Sequence, residues 1–258
     1  LSIVHHYPLI HDPRDAETSG VIFFWEETAV PQDMVQTLNQ HYDLIWVATQ
    51  SVKNALINSG CLTPVFVIRF GVDHVVHQSR QRKTVQQFAK PTRRYLHLSS
   101  AFERKGIDCL LDAYAEAFCR RDDIELYIKT FPNPHNSVRA QLALKQSTYP
   151  DLGPVTIDES EMSDLDLVSL YQSADAVILP SRGEGFNLPA AEAMALGIPV
   201  LTTSHVGHSD FCTDDTAILV NTKYAYSKSH LASSDACWLE PDRKDLIHQW
   251  KRLDHQIR

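Results

Sequence analysis

The residues best suited to chemistry lie in two short stretches of the sequence. Residues 99–106 bring Arg104 and Lys105 to the start of a segment with helical periodicity, and residues 181–187 lead into a second such segment. Cationic side chains on one loop and a helix N-terminus on the other attract negative charge. The pair of loops therefore predicts a site for an anionic ligand such as a diphosphate.

The second loop also supplies backbone donors. Gly183 and Gly185 let the main chain approach a ligand closely, because they carry no side chain. The N–H groups of Phe186, Asn187 and Leu188 precede any intrahelical bond and would point at the anion. Arg182 is interpreted equally well as a surface ion pair or as a contact to the ligand.

Two carboxylates accompany these loops. Glu184 lies in the second loop, and Glu192 follows it with seven residues between them. A carboxylate repels a phosphate, so both should face other parts of the ligand, and hydroxyl groups of a sugar or a ribose are suitable partners. The combination of an anion site and carboxylates indicates a nucleotide sugar.

The elements that position these residues alternate between strand and helix, which predicts an α/β fold with parallel sheets. The predicted strands are residues 21–25, 44–48, 64–68, 95–98, 124–129, 155–157, 176–179 and 199–202. The predicted helices are residues 32–41, 51–59, 107–120, 137–145, 164–173 and 188–196. Residues 78–94 are polar and are interpreted as a linker between domains or as a loop on the surface. We therefore expect a partial first domain over residues 1–90, with sequence upstream of Leu1 absent, and a complete doubly wound domain over residues 91–258.

Composition narrows the class of partner. The formal net charge of −8 argues against nucleic acid. No apolar run reaches membrane-spanning length and the first ten residues lack the pattern of a signal peptide, so a peripheral membrane contact stays open and a cytoplasmic location is expected. The five cysteines are far apart, which suggests a reducing compartment without structural zinc. The thirteen histidines show no strong ligand spacing, so neither a metal nor another cofactor is expected.

One stretch carries a family resemblance. The residues from Pro180 to Val200, PSRGEGFNLPAAEAMALGIPV, resemble the E-x7-E signature of the family-four retaining glycosyltransferases. The FERKGID run at residues 102–108 is similar to that family's Lys-Gly turn, the GVD at residues 71–73 to the end of its first domain, and the WLEPD at residues 238–242 to a segment near its C-terminus. The resemblance implies the GT-B fold, with a doubly wound, Rossmann-like C-terminal domain and an incomplete Rossmann-like N-terminal domain.

The resemblance also implies residue roles. Lys105, with Arg104, would hold the donor diphosphate, and Glu192 would bind the ribose hydroxyls. Glu184, together with Gly185 and the amides of Phe186, Asn187 and Leu188, would hold the transferred sugar and its phosphate. Lys105 and Glu184 are the expected catalytic residues.

The sequence departs from the family's pattern in three places. Ser100 stands where the family often has an arginine, so Arg104 is expected to substitute for it beside Ser100 in the donor site. Asn187 replaces a glycine, and asparagine tolerates left-handed backbone angles better than most residues. Trp25 and Glu26 occupy the place of a common histidine and are the candidates for the acceptor side.

The expected function is transfer of a sugar from a nucleoside-diphosphate sugar to a glycan or another hydroxyl acceptor, with retention of configuration implied by the resemblance. A sugar-nucleotide epimerase or a phosphorylase of the same fold would share the anion site. The incomplete first domain also leaves open a non-catalytic nucleotide-sugar-binding module. The base, the sugar and the acceptor are not specified by the sequence.

Overall fold

The strands form two parallel sheets and one antiparallel ribbon. The computed structural model describes residues 2–5, 17–80, 93–204, 207–228 and 236–257. We call residues 2–80 the first unit and residues 93–257 the second unit. Most of the segment interpreted as a linker, residues 81–92, lies outside the described residues.

The first unit is a four-stranded parallel sheet whose strands follow one another in chain order. Its strands are β1 (Ser2–Val4), β2 (Ser19–Ile22), β3 (Leu44–Val47) and β4 (Val65–Val67). Its helices are α1 (Gln32–His41), α2 (Gln50–Asn58) and α3 (Asp73–Ser79). The sequence pattern predicts three of these strands and two of these helices. It misses β1 and α3, which are short.

The second unit contains a six-stranded parallel sheet with the order β10-β9-β8-β5-β6-β7. These strands are β5 (Arg93–Leu98), β6 (Ile124–Lys129), β7 (Val155–Asp158), β8 (Ala176–Leu179), β9 (Val200–Thr203) and β10 (Ile218–Val220). Its helices are α4 (Ile107–Phe118), α5 (Val138–Thr148), α6 (Asp164–Ser173), α7 (Leu188–Ala195) and α8 (Arg243–Gln256). The strand order reverses between β5 and β8, and ligands of such sheets bind in the crevice at that reversal.

Helices cover both faces of this sheet. Successive side chains of β5 point to opposite faces, so Tyr95 joins the core formed with α4 and α8, whereas Leu96 joins the core on the α6 and α7 side. Both side chains are completely buried. The predicted apolar face of α4 packs on the sheet as expected, and the doubly wound architecture is confirmed.

A hairpin not predicted from the sequence joins the two units. Its strands are β11 (Thr222–Tyr226) and β12 (Cys237–Pro241). The amide of Thr28 in the first unit donates to the carbonyl of Cys237 (3.1 Å), and the amide of Leu239 donates to the carbonyl of Arg182 (2.9 Å). The WLEPD run at residues 238–242 therefore forms most of β12.

The buried His97 ties β5 to β8. Its Nδ1 lies 2.7 Å from the carbonyl oxygen of Ile178, and its Nε2 lies 2.8 Å from the Ser99 hydroxyl. Since a carbonyl only accepts, Nδ1 carries the proton and Nε2 accepts from Ser99. Burial disfavours the charged imidazolium and lowers the pKa of His97 to about 4.

We predict that His97 makes the protein sensitive to mild acid. The folded pKa lies below the unfolded value of about 6.5, so the unfolded chain takes up a proton first and stability is lost as the pH falls from about 6.5 to about 4. The measurement is the free energy of unfolding, obtained by urea titration at several pH values between 6.5 and 5. The slope of this free energy against pH should be smaller in His97→Asn than in the parent, by about 1 kcal/mol per pH unit. The exposed His77→Asn is the control and should keep the parent slope. Equal slopes in all three proteins would contradict the prediction.

Candidate active site

Two loops meet at the reversal of strand order. The lysine turn, Glu103–Lys105, follows β5, and the glycine turn, residues 180–187, follows β8. The amide of Arg182 donates to the carbonyl of Arg104 over 2.7 Å. Gly106 has a φ of 70°, and a Cβ there would collide with the carbonyl of Pro180. The backbones of the two turns are therefore in direct contact.

The two turns also share a close ion pair. Lys105 Nζ lies 2.7 Å and 2.8 Å from the two carboxylate oxygens of Glu184. Arg104 donates to the carbonyl of Gly183 over 3.1 Å and lies 3.7 Å from Glu184. The side chains of Lys105 and Glu184 are only 14% and 5% exposed. The structure thus brings three of the predicted donor-site residues into one cluster.

Burial and charge act against each other in this pair. Burial alone would raise the pKa of Glu184, but the nearby Lys105 and Arg104 overcome it and hold that pKa at about 2. Burial also lowers the pKa of Lys105, and the charge of Glu184 opposes that shift. Glu184 is ionised at neutral pH. An ammonium group has three N–H donors, so the two bonds to Glu184 leave the third available to a ligand.

Arg182 lies in a buried network of charged groups. The interpretation as a surface ion pair is wrong, because its side chain is only 5% exposed. Its guanidinium bonds to both carboxylate oxygens of Asp108 and of Glu240, and to the carbonyl of Glu103. It also stacks on Trp238, with 5.3 Å from its central carbon to the ring centroid. These contacts use all five N–H donors of the side chain, which therefore braces the two turns instead of offering a hydrogen bond to a ligand.

Asn187 adopts the left-handed conformation expected of it, with φ 73° and ψ 65°. It caps α7, because its Oδ1 accepts from the amide of Ala190 over 3.4 Å. Its Nδ2 lies 3.1 Å from His208 Nδ1, while His208 Nε2 lies 2.6 Å from the carbonyl oxygen of Thr203. His208 Nε2 therefore carries the proton, and Nδ1 accepts from Asn187. Burial lowers the pKa of His208 and keeps the ring neutral.

Among the described residues, no protein group accepts from the amides of Phe186, Asn187 and Leu188.

Glu192 lies further along α7 and is buried. The Tyr171 hydroxyl donates to Glu192 Oε2 over 2.7 Å.

The other oxygen of Glu192 faces the first unit. Glu192 Oε1 lies 3.1 Å from His74 Nε2, and His74 lies in α3, directly after the GVD run. Sequence reasoning missed Tyr171, His74 and His208. Each of these residues contacts its predicted site residue, Glu192 or Asn187, from at least 20 positions away in the chain, so no local pattern marks that contact.

The remaining predicted residues have other contacts. The carbonyl of Ser100 accepts from Asn133 Nδ2 over 2.8 Å, and no contact of its hydroxyl with Lys105 or Glu184 is found among the described residues. The Trp25 indole is buried and donates to the carbonyl of Ala29 over 2.9 Å. The ring nitrogen of Trp25 is therefore already bonded, and Trp25 faces its surroundings with its main chain.

The first unit touches the glycine turn at Trp25 and Glu26. Glu26 pairs with Arg104 over 3.0 Å. A Cβ on Gly183 would lie 2.5 Å from the Glu26 carbonyl oxygen, and one on Gly185 would lie 2.9 Å from that of Trp25. Main chain packs on main chain here, which explains why glycine is needed at both positions.

Two clefts lie beside this contact. The lysine-turn cleft, of about 430 Å³, is lined by Phe102, Arg104, Asp108, His135 and Gln141 among others. The hairpin cleft, of about 390 Å³, is lined by Glu26, Glu27, Glu184, Tyr224 and Trp238 among others. The described residues include no cluster of three or more potential metal ligands and no helix that is long and apolar enough to cross a membrane.

Comparison with known proteins identifies the family. Residues 92–231 match the family model described as Glycosyl transferases group 1. The chain belongs to this family. The match includes both turns, and the GT-B fold expected from the sequence is confirmed.

Curated glycosyltransferases align with much of the chain. The MMP alpha-(1->4)-mannosyltransferase of Mycolicibacterium hassiacum is 28% identical over 209 residues, which are 77% of this chain and 46% of that protein. The D-inositol 3-phosphate glycosyltransferase of Corynebacterium aurimucosum is 27% identical over 233 residues, which are 86% of this chain and 52% of that protein. The chain spans about half the length of these curated relatives.

Solved structures share the fold at low sequence identity. HepE of Anabaena, crystallised with UDP and glucose, superposes with a TM-score of 0.67 at 15% identity, covering 93% of this chain and 63% of HepE. The alpha,alpha-trehalose-phosphate synthase (UDP-forming) of Burkholderia xenovorans, crystallised with glucose-6-phosphate, gives 0.68 at 12% identity and covers 92% of this chain and 60% of that enzyme.

We predict that Asn187 and His208 act as a coupled pair. Glycine adopts φ 73° without strain, so Asn187→Gly no longer needs the histidine to orient its amide. His208→Ala should therefore destabilise the parent more than it destabilises Asn187→Gly, by about 1 kcal/mol, while the cavity left by the histidine is common to both backgrounds. The measurement is a double-mutant cycle on the free energy of unfolding in urea. Additive effects would show that His208 only fills space.

Proposed function

We propose that this chain is the donor-binding part of a glycosyltransferase that moves a sugar from a nucleoside-diphosphate sugar to a hydroxyl acceptor, with retention of configuration. The observation that supports the proposal is the contact between the lysine turn and the glycine turn at the point where the strand order reverses. The UDP and glucose in the HepE crystal make uridine diphosphate sugars the first donors to test.

In the proposed site the diphosphate lies between the two turns. The third N–H of Lys105 and the amides of Phe186, Asn187 and Leu188 would donate to its oxygens, at the positive end of α7. As the bond from the anomeric carbon to the phosphate oxygen stretches, negative charge accumulates on the diphosphate. Donors already aimed at that charge lower the barrier, because they need no reorganisation during the reaction. The mechanism requires no metal.

The carboxylates take the neutral parts of the donor. Glu192 would accept from ribose hydroxyls with the lone pairs left free by Tyr171 and His74. Glu184 would face the transferred sugar while it keeps Lys105 in place. The anomeric carbon exchanges its bond to the diphosphate for a bond to the acceptor oxygen, and the acceptor's proton leaves with the nucleoside diphosphate.

The first prediction from the proposed function concerns donor binding and Lys105. In a panel of nucleoside-diphosphate sugars, one donor present at 100 times its dissociation constant should add about 2.7 kcal/mol to the free energy of unfolding. Lys105→Ala should lose most of this stabilisation and lower the rate of transfer at least about a hundredfold, because it removes charge that meets the leaving group. The exposed Lys244→Ala is the control and should behave as the parent.

Transfer activity within twofold of the parent in Lys105→Ala would contradict the leaving-group role. Donor binding without transfer to any acceptor tested would favour the non-catalytic module.

The second prediction divides the roles of the two carboxylates. Glu192→Gln should weaken the binding of nucleoside diphosphate and of the intact donor alike, because ribose is common to both. Glu184→Gln should keep or improve the affinity for nucleoside diphosphate, since Lys105 loses its competing partner, and should lower the transfer rate. Calorimetric affinities and steady-state rates for the two variants test this division. Equal losses of diphosphate affinity would mean that the roles are assigned wrongly.

A further inference from the structure

The carbonyl groups of the glycine turn are each held by a hydrogen bond. Consecutive carbonyl oxygens, from that of Ser181 to that of Gly185, accept from other parts of the fold. In chain order, the groups that donate to them are the Thr203 hydroxyl (2.6 Å), the Leu239 amide (2.9 Å), the Arg104 guanidinium (3.1 Å), the Gly207 amide (3.0 Å) and the Thr49 hydroxyl (2.9 Å). Of these groups, only the Thr49 hydroxyl belongs to the first unit.

A held carbonyl also fixes the amide of the same peptide group. The peptide group is planar and trans, so its C=O and its N–H point in opposite directions. The carbonyl of Gly185 shares its peptide group with the N–H of Phe186, one of the amides proposed to hold the diphosphate. Among the described residues this N–H donates to no protein group. The bond from Thr49 therefore fixes the direction in which the Phe186 N–H points.

The surroundings of Thr49 restrict its hydroxyl to this bond. Thr49 is the N-cap of α2, and its hydroxyl oxygen accepts from the Val52 amide over 3.5 Å. The residue is completely buried. A hydroxyl has one hydrogen and a carbonyl only accepts, so that hydrogen is directed at the oxygen of Gly185. One hydroxyl group thus links the start of α2 to the glycine turn.

The peptide group between Gly185 and Phe186 needs such a fixed partner. Glycine has more backbone freedom than any other residue, and position 185 requires glycine because a Cβ there would lie 2.9 Å from the Trp25 carbonyl oxygen. Rotation of this peptide group would replace its N–H with a carbonyl oxygen, which cannot donate to a phosphate. The freedom that the close packing demands is therefore restricted by the bond from Thr49.

We propose that Thr49 is a positioning residue of the donor site, whose hydroxyl orients the Gly185–Phe186 peptide group so that the Phe186 N–H meets the diphosphate. The inference rests on the proposed function for the identity of the anion. Thr49 acts through the main chain of the glycine turn and does not itself contact the ligand. The first unit thereby completes an anion site whose other proposed groups lie in the second unit.

A purely structural role for Thr49 has different consequences. If its hydroxyl only caps α2, loss of the hydroxyl weakens folding and leaves the folded protein's affinity for every ligand unchanged. If its hydroxyl positions the Phe186 N–H, the loss weakens ligands that carry the diphosphate and spares those that lack it. A nucleoside diphosphate and its free nucleoside separate the two roles, because base and ribose are common to both.

The experiment uses the full chain and the diphosphates of uridine, guanosine and adenosine beside the free nucleosides, with affinities from calorimetry and from saturation-transfer NMR. Thr49→Val removes the hydroxyl and nearly keeps the shape of the side chain. It should weaken the diphosphate that the parent binds about tenfold, the contribution of one hydrogen bond to a charged group, and leave the affinity for the nucleoside within about twofold. Thr49→Ser keeps the hydroxyl and should restore the parent's affinity for the diphosphate.

The Phe186 amide gives a direct signal of the same effect. After isotope labelling of phenylalanine, its N–H resonance should shift on addition of the diphosphate in the parent and in Thr49→Ser. The shift should be lost or much reduced in Thr49→Val, because the N–H no longer points at the ligand. Phe186→Leu identifies the resonance.

Two further variants complete the experiment. Asp242→Ala is the control for loss of a helix cap, because Asp242 Oδ1 accepts from the Asp245 amide over 3.0 Å at the start of α8. It should lower the temperature of thermal unfolding and keep the parent's affinities. Thr49→Cys replaces Thr49→Val if the valine variant does not fold. A thiol is a weak donor, so the affinity of Thr49→Cys for the diphosphate should lie below that of Thr49→Ser.

The proposal is overturned if the folded variant without the hydroxyl keeps the parent's affinity for the diphosphate, if its affinity for the nucleoside falls by the same factor, or if the parent binds none of the diphosphates. Sugar transfer is measured in the same samples. Diphosphate affinity that depends on Thr49, without transfer to any acceptor, would support the positioning role and refute the proposed function. Transfer by the parent, with unchanged diphosphate affinity in Thr49→Val, would do the reverse.

Discussion

The site depends on the ion pairs and hydrogen bonds that the buried guanidinium of Arg182 makes. It extends from the glycine turn to Asp108 at the start of α4 and to Glu240 in β12, and its main chain bonds to the lysine turn and to the hairpin. Breaking a buried ion pair leaves an uncompensated charge, which costs more than the intact pair contributes. Arg182 therefore holds the glycine turn, α4 and β12 in a single arrangement. This arrangement fixes the positions of Lys105 and Glu184.

The positive and negative side-chain charges nearly cancel where the diphosphate is proposed to bind. Lys105 and Arg104 face Glu184 and Glu26, so the cluster is close to neutral before a diphosphate arrives. Affinity for an anion must then come from directed donors, such as the remaining N–H of Lys105 and the amides at the start of α7, more than from the overall field. The acidic net charge of the chain agrees with a site of this kind.

Strong local patterns made much of the fold predictable. The strands Ile124–Lys129 and Ala176–Leu179 and the helix Asp164–Ser173 have the predicted bounds, because apolar runs and helical periodicity lie between clear breaks. The hairpin was missed, since Thr222–Tyr226 is polar and largely exposed and its partner strand follows after ten residues. Helix α8, Arg243–Gln256, was also missed, although it has a detectable signal in three buried apolar residues spaced along one face.

The site was predictable to a similar degree. Lys105, Arg104 and Glu184 were found through turns that lie next to helices, and the structure places them in contact. Their roles stay predictions. The brace at Arg182 could not be found in this way, because its carboxylate partners are 74 and 58 positions away and only the folded sheet brings them together.

The glycines at positions 183 and 185 have a consequence for how the family's signature can vary. Both face carbonyl oxygens of the first unit, so any added carbon meets main chain that cannot rotate away as a side chain could. A larger residue there would clash with this main chain and force the two sheets apart. A compensating change in a neighbouring side chain could not relieve the clash. Variation in this turn is thus restricted by the opposite half of the molecule as well as by the ligand. Both positions are therefore expected to stay glycine whatever side chains the first unit carries at Trp25 and Glu26.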